Sequence, residues 1–384
     1  MLTSAPMPAA LAMPATVRLR PIGIVALGLA LIVALGLVLG GEALSFVAAG
    51  LPAIALAGVA VLARLGSERR WARVATLLLG GAMIVGLGLT LLGLSAATLL
   101  PAGSAGPTAL APGAPVKLLL LLVGLTAGGL VGLVGLVPPW RRALAGLLPF
   151  DPSSFPAGVG AAAVLSATAM VAVPLLVLAT PPLLAVIAAG HIPMPEDGMM
   201  MRQAIYGLLW LLPGASVAAG WGLGRDRGAA LARLGLVRPT GGQLLIGLAI
   251  AVGLAVVSPP LDFAVARVFE AMGWAHTDGA WISQLFGFAL SPIGALAAGV
   301  TAGLGEELLV RGLLQPRVGL LLANLCFTSM HALQYNWDGL LQVFLIGIAF
   351  GLLRRRTNTT TCALVHGTYD MLQFGYALLG AAGG

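Results

Sequence analysis

The residues Gly305–Gly312, GEELLVRG, set two adjacent glutamates and an arginine near the end of a long apolar run. Glu307 and Arg311 are four apart, so on a helix they share a face and form an ion pair. Glu306 points about 100° away and lacks that partner. A carboxylate left unpaired in apolar surroundings suits a base that takes a proton and returns it. Two further stretches carry related chemistry. FTSMH sets Phe327 and His331 four apart, and HGTYD does the same for His366 and Asp370, with Gln373 one turn further on. Asn324 lies two turns before His331 on the same side.

Histidine donors at a dry site stabilise developing charge, which makes Glu306, His331 and His366 a candidate functional set. The same three side chains also match a two-histidine, one-carboxylate zinc site with an open water position. The chain has no His-Glu-x-x-His stretch, and a glutamate does not readily serve as both zinc ligand and base. Both readings stand at this point. Each residue also has a purely structural reading. A membrane histidine often hydrogen-bonds between helices, Glu307 with Arg311 braces its own helix, and Asp370 holds His366. Cys326 and Cys362 read as small core residues.

Elements must bring these groups together, and composition says which kind. Of 384 residues, 59% are hydrophobic and only 9% charged, with a mean hydropathy of +1.03. A soluble domain carries roughly 25% charged residues. Apolar runs of about 20 residues recur along the chain, the pattern of an all-α, polytopic helical membrane protein. Eleven spans are predicted, over residues 22–40, 44–63, 74–100, 118–137, 159–188, 204–224, 244–268, 286–314, 318–333, 340–353 and 362–379. The first exceeds a signal-peptide core of about 7–15 residues and reads as a retained helix. The 54 glycines suit closely packed membrane helices.

The net charge of +7 is a topology signal and not a nucleic-acid one. Arg64, Arg69, Arg70 and Arg73, then Arg141 and Arg142, then Arg225, Arg227, Arg233 and Arg238, then Arg317, then Arg354, Arg355 and Arg356 fall in alternate connections. The intervening connections hold Glu42, Lys117, Glu196, Asp197, Arg202, Glu270, Asp278 and Asp338. The positive-inside rule then puts the N-terminus, with Arg18 and Arg20, in the cytoplasm and the C-terminus outside. Residues 101–115 read as a low-complexity external linker and 191–202 as a methionine-rich outer loop. A polar break at 225–242 divides a six-helix region, 1–240, from a second region, 241–384.

Depth tests whether the chemistry can converge. With Pro316 and Arg317 as the cytoplasmic turn, Glu306 sits about 15 Å deep, His331 about 20 Å and His366 about 13 Å at 1.5 Å per residue. With ordinary tilt, all three can converge in the cytoplasmic half of a bilayer.

Taken in order, Glu306-Glu307-x-x-x-Arg311, Phe327-x-x-x-His331 and His366-x-x-x-Asp370 resemble the motifs of the CPBP family of intramembrane proteases, which includes CAAX prenyl proteases and bacterial Abi-type proteins. The resemblance covers roughly residues 241–384. It implies peptide-bond hydrolysis in the membrane, on a membrane-associated protein or peptide. The glutamate matching Glu306 would activate water, aided by His331, and His366 with Asp370 would meet the oxyanion. An ionised Asp370 does not donate a hydrogen bond, so its local part is to orient His366. Glu307, Arg311, Phe327 and Asn324 are supporting residues. The arginine-rich, alanine-rich composition suggests a bacterial inner membrane. A non-hydrolytic binding or bacteriocin-immunity protein and a proton-coupled transporter are the competing readings. No internal repeat of the kind many transporters show is visible.

Overall fold

The computed structural model describes residues 19–100 and 112–383, with side chains from 28 to 379. Arg18 and most of the expected external linker, residues 101–111, lie outside the described residues. The described chain is helical, with no strand beyond one isolated bridge between Trp221 and Arg225. The first part runs α1 (Leu19–Leu39), α2 (Gly41–Gly66), α3 (Arg70–Ala97), α4 (Ala114–Val131), α5 (Leu133–Leu136), α6 (Pro138–Ala145), α7 (Phe155–Leu178), α8 (Pro182–Ala188), α9 (Asp197–Ala218) and α10 (Arg227–Leu234). The second runs α11 (Gly241–Ala271), α12 (Gly279–Leu285), α13 (Pro292–Glu307), a π-helical segment (Leu308–Leu314), α14 (Gln315–Met330), α15 (Trp337–Arg356) and α16 (Thr359–Gly383).

Starts and stops follow local chemistry. Thr240 and Gln243 form a reciprocal capping box at α11, and Ser291 accepts from Gly294 N at 3.0 Å to start α13. Gly235 ends α10 with φ 73°, a conformation glycine adopts without a Cβ penalty.

Each expected span coincides with helix, although not every one of these helices is long and apolar enough by itself to cross a membrane. Seven helical stretches among the described residues are long and apolar enough to cross a membrane. Neither α9 nor α16 is among them. Helix α9 carries Asp197, Arg202 and Gln203, while α16 carries His366, Asp370 and Gln373, and such residues lower their mean hydropathy. The expected 286–314 and 318–333 spans form one apolar stretch, Pro292–Leu333, interrupted at Gly319 by non-helical angles of φ 78° and ψ 171°. That break falls just after the Pro316–Arg317 turn read from the sequence. An all-α integral membrane protein is what these elements make.

The α13–α16 crossing positions the chemistry. A Cβ on Gly303 would sit 2.6 Å from Ala363 O and from Gly367 N, and one on Gly299 would sit 2.6 Å from Gly367 O. Gly299-x-x-x-Gly303 on one helix and Gly367 on the other therefore let two backbones touch. That contact sets the end of α13 directly beside His366. Helices α9 and α11 flank the crossing, and α14 packs between α15 and α7.

Candidate active site

Immediately after α13 the backbone widens into the π-helical turn Leu308–Leu314. Such turns re-aim side chains and recur at functional sites. Arg311, on this turn, is 1% exposed and Glu307 is fully buried. Arg311 Nη1 donates to Glu307 Oε1 at 3.0 Å, and Nη2 donates to the Gly347 carbonyl of α15 at 2.7 Å. Its guanidinium lies 4.8 Å from the ring centre of Phe327 and 5.6 Å from that of Phe350. A charge this deep has to be paired and hydrogen-bonded, and aromatic faces complete the cage.

Glu307 has a second task that sequence spacing does not reveal. The same Oε1 accepts from His366 Nδ1 at 2.9 Å. The sequence reading gives the orienting of His366 to Asp370. In the structure Asp370 Oδ2 is the looser neighbour, 3.5 Å from Nε2, and Glu306 Oε2 stands 4.0 Å from the same nitrogen. Glu307 thus fixes the ring, and Nε2 faces Glu306 and Asp370. Glu306 itself has a side chain 39% exposed, beside a Glu307 at 0%. The structure leaves one glutamate accessible and consumes the other.

His331 ends α14, where a 3-10 turn begins. Its Nδ1 donates to the Phe327 carbonyl at 2.9 Å, so in the neutral ring Nε2 keeps the lone pair. Phe327 meets His331 edge-on with ring centres 4.8 Å apart, and His366 at 6.4 Å. One aromatic side chain spaces both histidines and supports Arg311. Asn324 belongs elsewhere: it is 2% exposed and donates to Phe344 O at 2.9 Å, holding α14 to α15. Cys326 and Cys362 are buried free thiols.

Residues absent from the motif reading join this region. Tyr335 stacks on His331, with ring centres 6.0 Å apart and planes 20° apart. The Tyr369 hydroxyl lies 3.1 Å from that of Ser258 on α11, and Gln373 Nε2 donates to it at 3.4 Å. Tyr335 follows His331 by four residues and Tyr369 adjoins Asp370, so nearness in sequence was the available signal. Ser258 had none.

The zinc reading of Glu306, His331 and His366 turns on how their donor atoms are placed. His366 Nδ1 is taken by Glu307, and Nε2 stands 4.0 Å from Glu306 Oε2, a separation that two ligands of one ion can span. Among the described residues no three His, Cys, Asp or Glu side chains are grouped to hold a metal.

Residues 288–372 match the family model of the Rce1-like type II CAAX prenyl endopeptidases. This segment is similar to the CAAX protease family. It contains Glu306, Glu307, Arg311, Phe327, His331, His366 and Asp370, and it lies within the second region read from the sequence. CAAX-type intramembrane endopeptidase activity is the activity such a domain supports. No curated protein and no solved structure matches the chain.

Proposed function

We propose that the chain is an intramembrane endopeptidase in which Glu306 activates water against a peptide bond. The observation that carries this reading is the division of labour between adjacent glutamates. Glu307 is spent on Arg311 and His366, and Glu306 stays accessible beside His366 Nε2.

Glu306 takes a proton from water as the oxygen attacks the scissile carbonyl carbon, and the carbonyl becomes an oxyanion. His331, with its Nε2 lone pair, accepts the other water hydrogen and orients the attack. His366, protonated on Nε2 as well as Nδ1, donates to the oxyanion, a charge-assisted bond in a dry site. When the tetrahedral adduct collapses, the C–N bond breaks. Glu306 passes its proton to the leaving nitrogen, which releases an amine and a carboxylic acid. Asp370 restrains the His366 ring from the substrate side. No step requires a metal.

The substrate class is a membrane-associated protein or peptide whose scissile bond reaches the level of Glu306, in a bacterial inner membrane with the arginine-rich connections in the cytoplasm. The test compares protein termini in membranes holding equal amounts of wild type and Glu306→Gln. New termini that appear only with wild type support a protease and name its substrates. Identical profiles across growth conditions would move a non-hydrolytic role to the front.

A further inference from the structure

At the end of the bundle away from His331, arginines from four separate elements converge. Arg225 precedes α10, Arg233 lies within it, Arg317 opens α14 and Arg354 sits near the end of α15. Arg233 and Arg225 are buried, with 6% and 8% exposure. The charges feel one another. Burial, and then the positive charges of Arg317, Arg225 and Arg354, push the Arg233 guanidinium down to about 9.

Carbonyl and hydroxyl oxygens accept hydrogen bonds from these side chains. Arg225 Nη1 donates to Ala219 O at 2.6 Å, Arg317 Nη2 to Ala218 O at 3.4 Å and Arg233 Nη1 to Gly312 O at 3.3 Å. Arg354 Nε donates to Arg311 O at 3.3 Å and to Thr359 Oγ1 at 3.0 Å. Among the described residues, no aspartate or glutamate lies within 4.0 Å of Arg233, Arg317 or Arg354. The undescribed stretches 1–18, 101–111 and 384 contain no aspartate or glutamate side chain.

Capping of helix ends is the plain alternative, and its magnitude argues against its being sufficient. A helix C-terminus offers about half an elementary charge. Ala218 and Ala219 close α9, and Arg311 and Gly312 belong to the π-helical turn. Such partial charges fall well short of the three guanidiniums of Arg233, Arg317 and Arg354. An unbalanced buried cation such as Arg233 costs several kcal/mol. Basic pockets between transmembrane helices, at the level of the lipid headgroups, take phosphate for this reason.

We propose that the cluster formed by Arg233, Arg317 and Arg354, with Arg225 at its edge, binds a phosphate-bearing anion. A phospholipid headgroup and a free phosphate share this chemistry, since guanidinium forks match phosphate oxygens in pairs. Binding also reaches the catalytic region. Arg233 and Arg354 hold the carbonyls of Gly312 and Arg311, so an anion that fixes these two side chains stiffens the turn carrying Arg311. The proposal stands apart from the endopeptidase reading.

The experiment measures thermal unfolding of the full chain, purified and delipidated in neutral detergent. It is titrated with phosphatidylglycerol, with phosphatidylcholine, or with inorganic phosphate against chloride of equal ionic strength. Phosphatidylglycerol is expected to raise the Tm on the order of 5 °C, and phosphatidylcholine to leave it unchanged. A rise with inorganic phosphate alone identifies free phosphate as the occupant and supports the same site. In Arg233→Gln with Arg317→Gln the shift is expected to fall below half. Arg233→Lys keeps a charge but loses the fork, and provides an intermediate shift if the double variant does not fold. The proposal is overturned if no anion moves the Tm, if phosphatidylcholine acts equally, or if the shift survives in the variants.

Discussion

The α13–α16 crossing and the α3 helix are both made of apolar residues and glycines, yet they solve different problems. Only 6% of the apolar window of α3 is buried in the protein, and Leu78, Val85 and Leu89 are each more than 60% exposed. Lipid tails are as apolar as leucine, so this exposure costs little and demands no particular partner. In the crossing, by contrast, Glu307, Arg311 and His366 are buried together. Each needs a partner at hydrogen-bond distance, because an unpaired charge at that depth costs several kcal/mol. The lipid-facing helix tolerates many sequences; the crossing specifies one geometry.

Removing one member of the buried pair should break this contrast most severely. Arg311→Met strands the Glu307 carboxylate and is expected to destabilise by about 3–5 kcal/mol, read as a large Tm loss in detergent. Gly303→Ala comes next. Its new Cβ would meet the α16 backbone at 2.6 Å, and backbone does not yield cheaply. A loss of about 2 kcal/mol is expected. Gly80→Ala on α3 sharpens the comparison, since no atom lies within 4 Å of a Cβ there. It should change stability by no more than about 1 kcal/mol, in the stabilising direction. Equal losses at Gly303 and Gly80 would remove the basis for treating the crossing as special.

Activity allows a finer comparison. Asp370 sits 3.5 Å from His366 Nε2 and Glu307 only 2.9 Å from Nδ1. Asp370→Asn should therefore lower the cleavage rate by no more than about 10-fold, read as kcat at saturating substrate. A complete loss would return the orienting role to Asp370. The smallest expected effect is that of zinc chelation, which should leave cleavage unchanged; inhibition reversed by added zinc would overturn the proposed metal-free scheme.

The legible part of the site was the part written in helical spacing. Glu307 and Arg311, Phe327 and His331, and His366 and Asp370 each stand four apart, and a helix stacks such residues on one face. Tertiary facts were hidden. Gly299, Gly303 and Gly367 cannot be singled out from among 54 glycines without knowing which helices touch. The π-helical turn has no side-chain signature, because it changes the backbone register alone. The second bond of Glu307, to a residue 59 positions away, follows from both. The fold class was plain from hydropathy. The span count was less so, because the polar residues of α16 proposed to take part in the chemistry also reduce its resemblance to a membrane helix.

The central claim is that the protein frees Glu306 by committing Glu307. Its most direct test is Glu306→Gln in purified protein, with thermal unfolding and peptide cleavage measured on the same sample. The Tm should stay at the wild-type value while cleavage falls by about 1,000-fold. Retained cleavage, or a loss that tracks a lowered Tm, would contradict the account.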